Sequence, residues 1–126
     1  MSKKEIIKTK NAPSAIGPYS QGIAFNGLVF ASGQTPIIPE TGLIPKGSEE
    51  QAKQALMNVS AVLKAGGSGL DKAVKLTVFL KNMSDFAVVN EVYKSFFSGD
   101  YPARSTVEVA ALPMDVLVEI EAIGYI

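Results

Sequence analysis

Apolar and polar residues alternate along Arg104 to Ala110 and again along Val116 to Ile123, the period-two pattern of strands with one buried face. Leu112-Pro113-Met114-Asp115 between them has turn composition, so the spacing predicts a β-hairpin. In its first strand Ser105, Val107 and Val109 point one way and Arg104, Thr106 and Glu108 the other. In its second, Val116, Val118, Ile120 and Ala122 oppose Leu117, Glu119, Glu121 and Ile123. A register that sets apolar against apolar pairs Val109 with Val116 and Val107 with Val118. It also gathers Arg104, Thr106, Glu108, Glu119 and Glu121 on one face. That face has two readings. One is a solvated surface with cross-strand ion pairs, the usual fate of charges on antiparallel sheets. The other is a binding site or subunit contact, which gains weight from Leu117 and Ile123 lying among the charges.

The same reading applied from the start of the chain predicts a short strand over Lys4 to Lys10, then a loop from Asn11 to Pro18 punctuated by Pro13, Gly17 and Pro18. Tyr19 to Phe25 and Leu28 to Ser32 flank Asn26-Gly27, a strong hairpin signal. Gly33 to Gly47 is a long Pro- and Gly-rich loop. Helical spacing follows at Ala52, Ala55, Leu56, Val59, Val62 and Leu63, with Ser48 and Gln51 as a capping box, Glu49 and Glu50 at the positive end of the dipole, and Gly66-Gly67 as the stop. Ala73 to Lys81 reads as a strand. Ser84 then caps a second helix to about Phe97, with Phe86, Val89, Tyr93 and Phe97 on one stripe. Asn90 falls on that stripe as well, either as a satisfied polar residue at its edge or as part of a site.

The order βββαβαββ, with no linker or repeat, makes residues 1–126 one α+β domain. Its two helices can cover only one face of the sheet, and the expected cover for the other face is a second copy of the chain.

Composition narrows the chemistry. The 126 residues carry 12 basic and 12 acidic side chains, so the net charge is zero and nucleic acid or an anionic membrane is disfavoured as a partner, despite Lys3, Lys4, Lys8 and Lys10 at the start. No apolar run approaches a membrane span and the N-terminus lacks the apolar core of a signal peptide, which predicts a cytoplasmic protein. There is no cysteine and no histidine. Thiolate nucleophiles, Ser-His-Asp triads, imidazole acid–base catalysis and the usual zinc sites are excluded, which leaves Arg, Lys, Glu, Asp, Tyr, Ser, Thr and the backbone.

Four segments carry a resemblance: NAPSAIGPYSQG (Asn11 to Gly22), ASGQTP (Ala31 to Pro36), TVFLKNMSDFAVVNEVY (Thr77 to Tyr93), and PARSTVEVAALP followed by VEIEAI (Pro102 to Ile123). In this order and spacing the chain resembles the RidA (YjgF) family of reactive-intermediate imine deaminases over essentially its whole length. The resemblance implies a chorismate-mutase-like α+β fold, a homotrimer with a central barrel and intersubunit clefts, and cofactor-independent hydrolysis of 2-aminoacrylate and 2-iminopropanoate to pyruvate and ammonia. Carried over by position, it implies catalytic roles for Glu119, Arg104 and Tyr19, and substrate contacts from Arg104, Thr106, Ser32, Gly33 and Asn90. It implies no cofactor and no metal. One departure is Thr106, where relatives commonly have cysteine; the backbone N–H there is unaffected.

These residue types suit that chemistry. A planar guanidinium can hold a carboxylate bidentately, and one sheltered carboxylate can take a proton from water and return it to the leaving nitrogen. Two other readings remain: a non-catalytic carboxylate-binding or regulatory protein of the same family, and a ribonuclease, which the missing histidine and zero net charge disfavour.

Overall fold

The computed structural model describes residues 3–126. Six strands and two α-helices follow the predicted order: β1 (Glu5–Ile7), β2 (Gly22–Phe25), β3 (Leu28–Gln34), α1 (Ser48–Ala65), β4 (Ala73–Leu80), α2 (Phe86–Ser95), β5 (Ala103–Glu108) and β6 (Val118–Tyr125). They form one sheet in the order β1-β2-β3-β6-β4-β5. Both helices lie on one face, where Leu56, Val59, Val62 and Leu63 of α1 and Val89, Val92 and Tyr93 of α2 join Val29, Leu76, Val78, Leu80, Val118 and Ile120 in one core. Each fully buried Leu, Ile or Val there contributes roughly 1.5–3 kcal/mol.

The local signals hold where the chain needs only its neighbours. Asn26 (φ 51°) and Gly27 (φ 75°) form the tight turn between β2 and β3, both in the left-handed region. Gly67 (φ 90°) ends α1 in a Schellman motif, with Ser68 N donating to Leu63 O at 2.8 Å and Gly67 N to Lys64 O at 3.0 Å.

The predicted caps do not form. Gly47, not Ser48, stands at the α1 N-cap and no side chain caps that end. The Gln51 amide is used elsewhere, donating to Pro45 O at 3.0 Å and accepting from Leu117 N at 2.7 Å. A long-range tie to Leu117, just before β6, thus replaces the local capping box. Ser84 lies within a 3₁₀ turn, Met83–Asp85, whose first N–H donates to Glu108 Oε1 at 2.7 Å. Helix α2 ends at Ser95, before the predicted Phe97, and Gly99 and Asp100 at positive φ turn the chain into β5.

The C-terminal hairpin is the main correction. β5 and β6 do not pair; β4 lies between them, parallel to β5 and antiparallel to β6. The expected pairs Val109–Val116 and Val107–Val118 are absent. Leu76 instead faces Arg104 on one side and Ala122 on the other, and Phe79 faces Val107 and Glu119. The cause is the crossover: α2 returns the chain to the starting end of β4, so β5 must run parallel to it. The Pro113 turn, with Met114 and Asp115 both at φ 56°, then carries the chain across the end of β4. Val109 N bonds Leu80 O and Lys81 N bonds Leu117 O on the two sides of that crossing.

This topology decides which side chains share a face. Arg104 and Thr106 lie level with Leu76 and Val78 on the helix side, whereas Val107 lies level with Phe79 and Glu119 on the open side. The expectation that Arg104, Thr106 and Glu108 share a face with Glu119 and Glu121 is overturned. The open face of the sheet is uncovered and, around Glu119 and Glu121, presents Ile6, Phe25, Phe30, Val107 and Tyr125, all well exposed.

Candidate functional site

The seven residues singled out in the sequence fall into two groups on opposite sides of the sheet. On the open side, Glu119 of β6 stands beside Gly33, at the irregularity between Ala31 and Gln34 in the β3–β6 pairing. A Cβ at Gly33 would fall 3.0 Å from Cδ of Glu119 and closer still to Oε2. The glycine is therefore there for room, and the carboxylate rests against bare backbone. Burial first, and the charge of Glu121 second, hold the Glu119 carboxyl above its ordinary value.

Ser32 connects this carboxylate to the loop that bears Tyr19. Its hydroxyl donates to Ser20 O at 2.6 Å and its N–H to Gln21 O at 2.9 Å. Tyr19 is half exposed, and its phenol oxygen accepts from Ile16 N at 3.5 Å within the loop. The loop is held from beneath by Gln21, which accepts from Thr9 N at 2.7 Å and donates to the carbonyls of Thr9, Ala12 and Pro13 at 3.0, 3.2 and 2.8 Å. Asn58 fastens the segment after β3 in the same manner, donating to Thr35 O and Ile37 O at 2.9 Å.

On the helix side, Arg104 of β5 lies under α2. Its guanidinium carbon is 4.6 Å from the ring centroid of Tyr93 and 5.8 Å from that of Phe86. A groove runs past it, lined by Asn90, Tyr93, Lys94, Tyr101, Pro102 and Arg104. Asn90 and Arg104 thus line the same groove. Thr106 lies next along the same face of β5, with its hydroxyl oxygen buried and unpartnered among the described residues. The ion pairs of the described residues are Lys53–Glu50 at 3.6 Å and Lys81–Asp115 at 2.7 Å, so Arg104 has no carboxylate partner among them.

Chemically, the open side offers a sheltered carboxylate able to carry a proton, and the helix side offers an unpaired guanidinium able to hold an anion. Among the described residues no cluster of three or more His, Cys, Asp or Glu is placed to hold a metal. No helix of them is long and apolar enough to cross a membrane.

The buried amides Gln21, Gln51 and Asn58 and the rings under Arg104 were not singled out as site-building residues in the sequence. Gln21 lies inside the PYSQG segment, which is the nearest thing to a signal. For Tyr93 the helical stripe indicated only burial.

Residues 9–126 match the family described as endoribonuclease L-PSP. A RutC family protein of Pyrococcus horikoshii is 53% identical over 123 residues, 97% of this chain and 98% of that one. The 2-iminobutanoate/2-iminopropanoate deaminase of Escherichia coli is 50% identical over 121 residues, 94% of each chain. The crystal structure of Escherichia coli TdcF with bound serine superposes with a TM-score of 0.94 at 49% identity, covering 97% of this chain and 98% of that one. On sequence and on fold alike, the chain belongs to the endoribonuclease L-PSP family, the RidA (YjgF) family that its motifs resemble.

Proposed function

We propose that this protein hydrolyses reactive 2-imino acids, 2-iminopropanoate and its enamine tautomer 2-aminoacrylate among them, to 2-keto acids and ammonia, without a cofactor. The observation that carries the reading is Arg104, an arginine held beside a groove with no acidic partner among the described residues. A charge so placed calls for an anion, and the carboxylate of a 2-imino acid matches the guanidinium fork. The names of the 50%-identical Escherichia coli deaminase and of serine-bound TdcF support the same class of small amino-acid-like ligand.

In the reaction, Arg104 holds the carboxylate of the protonated imine while Glu119, ionised, takes a proton from water as the water oxygen bonds to the imine carbon and the C=N π electrons move to nitrogen. Glu119 then gives that proton to the carbinolamine nitrogen and takes the hydroxyl proton as the C=O forms and the C–N bond breaks, releasing keto acid and ammonia. Ser32, Gly33 and the Thr106 backbone offer polar contacts to the substrate, Asn90 lines its groove, and Tyr19 closes the cleft.

Because Arg104 and Glu119 lie on opposite faces of one sheet, a substrate that touches both needs two chains. The uncovered open face, with its exposed apolar side chains, supports the same arrangement, a homotrimer in which the open faces line a central barrel and each cleft takes Arg104 from one subunit and Glu119 from its neighbour. The zero net charge and the absence of histidine favour this reaction over cleavage of RNA. We place the protein in the cytoplasm, where such imines arise.

The test generates 2-iminopropanoate in situ and follows its loss and the appearance of pyruvate with and without protein, with light scattering on the same preparation. Faster hydrolysis by a trimer is expected. Pyruvate binding without acceleration would favour a non-catalytic carboxylate-binding protein instead, and a folded monomer would remove the two-chain site.

A further inference from the structure

We infer that Tyr93, with Phe86 as a lesser partner, is the positioning residue of the Arg104 clamp, holding the guanidinium by its face so that the in-plane N–H fork stays free for the substrate carboxylate. The inference rests on the reading of Arg104 as that clamp. An arginine side chain is long and rotamer-rich, and one left to wander would bind a small carboxylate poorly. Proteins commonly fix arginine with an acidic side chain, but an ion pair occupies the very donors that a ligand needs. A ring occupies none of them, since cation–π contact uses the flat face and leaves the edge donors directed outward.

The geometry fits the second device. The guanidinium carbon lies 4.6 Å from the Tyr93 centroid and 5.8 Å from that of Phe86. Neither of the ion pairs among the described residues involves Arg104. Tyr93 is itself buried, 5% exposed, part of the core, and packed at a tilt of 40° against Phe97 with centroids 4.8 Å apart. Its hydroxyl has no hydrogen-bond partner among the described residues, so the ring is the part in use. Burial pushes the Tyr93 phenol up and the charge of Arg104 draws it partly back, as close contact requires. Phe86, two helical turns earlier and 39% exposed, flanks the guanidinium more loosely.

The experiment measures the Kd for pyruvate, a non-reacting 2-keto carboxylate, together with KM and kcat for 2-iminopropanoate. Tyr93→Leu is expected to raise Kd and KM about tenfold and to leave kcat within about threefold, because the contact serves carboxylate binding in ground and transition states alike. Tyr93→Phe keeps the ring and is expected to restore both constants to within about twofold of wild type. In an Arg104→Ala background Tyr93→Leu should add no further loss of affinity, whereas a merely structural tyrosine would add its own. Should Tyr93→Leu fail to fold, Phe86→Leu carries the test, with an expected rise of about threefold in Kd. A folded Tyr93→Leu with wild-type Kd and KM overturns the inference alone. So does a Tyr93→Phe variant as impaired as the leucine, or an unchanged Phe86→Leu where Tyr93→Leu does not fold. Wild-type protein that neither binds pyruvate nor hydrolyses the imine overturns the clamp reading with it.

Discussion

Gly33→Ala tests the carboxylate side of the site with a single methyl group. The backbone at Gly33 is not in the left-handed region, so alanine adopts it without strain, and the whole perturbation is steric. The new Cβ would fall 3.0 Å from Cδ and 3.4 Å from Cγ of Glu119, with Oε2 nearer than either. Restoring ordinary contact distances moves the carboxylate by roughly 0.5–1 Å. What yields is the far end of one side chain, while the backbone around it stays put. Replacing glycine by alanine also removes unfolded-state freedom worth about 0.4–1 kcal/mol, which offsets part of the crowding. The melting temperature should therefore stay within about 5 °C of wild type. Catalysis is more sensitive, because a misplacement of about 1 Å can cost on the order of 100-fold. We expect kcat/KM to fall by about that factor, or ~2.7 kcal/mol of transition-state stabilisation. The assay is steady-state hydrolysis of 2-iminopropanoate with thermal melts on the same preparations, repeated in a Glu119→Gln background, where the methyl should cost almost nothing more. Wild-type activity in Gly33→Ala, or an equal loss in both backgrounds, would refute the argument.

Glu119→Gln should keep the assembly and pyruvate binding while losing most turnover, read as kcat falling with Kd unchanged, because the amide keeps the shape and cannot carry the proton. Since burial and then Glu121 raise the Glu119 carboxyl and the base acts ionised, the acid limb of the kcat/KM profile should lie above the ordinary glutamate range and move to lower pH in Glu121→Gln. The same raised value means that ionised Glu119 opposes folding above its folded-state pKa and ceases to do so below its unfolded-state one. Glu119→Gln should thus melt higher than wild type at neutral pH, a gap that narrows as pH falls through that window. Arg104→Lys should remain folded, since no carboxylate among the described residues pairs with it, yet lose most pyruvate affinity because a point charge neither forks nor stacks as the guanidinium does. Phe30→Asp on the open face should reduce the assembly to smaller species in light scattering and abolish hydrolysis with it, while secondary structure by circular dichroism is retained.

How far the sequence could be read depended on the range of the interactions. Asn26-Gly27 and Gly66-Gly67 act on their nearest neighbours, and both turns form where composition placed them. Ser48 and Ser84 had equally good local credentials and lost to distant partners, because Gln51 and Glu108 satisfy backbone groups that no local pattern reveals. The alternation in β5 and β6 was real in both strands, and only their pairing was misread. Strand β4, nearly 30 residues earlier than β5, slots between them at a separation that periodicity cannot sense. The corrective signal was nonetheless present, since a strand, a ten-residue helix and another strand form a crossover unit that makes neighbours parallel. For the site, motif resemblance pointed to Arg104, Glu119 and Gly33, but the division between two faces, the space reserved at Gly33 and the rings under Arg104 depend on three-dimensional placement.

Strand β5 carries Arg104 and Thr106 inward and Val107 outward, the reverse of what a sheet with helices on one face normally requires at those positions. Arg104 and Thr106 face α2, while Ser105 and Val107 face outward on the bare side. As part of an isolated chain this would be a poor edge strand, with a cation under a helix and a valine toward water. The inversion becomes consistent when both sides of the strand have occupants. On the outer side, Val107 and Phe79 lie on the same open face as Phe30 and Tyr125, the face through which we propose the copies meet. On the inner side, rings rather than carboxylates receive the cation, so that Arg104 is held and still unsatisfied. Assembly and substrate capture thus place opposite demands on two faces of one six-residue strand, and alternation lets it meet both.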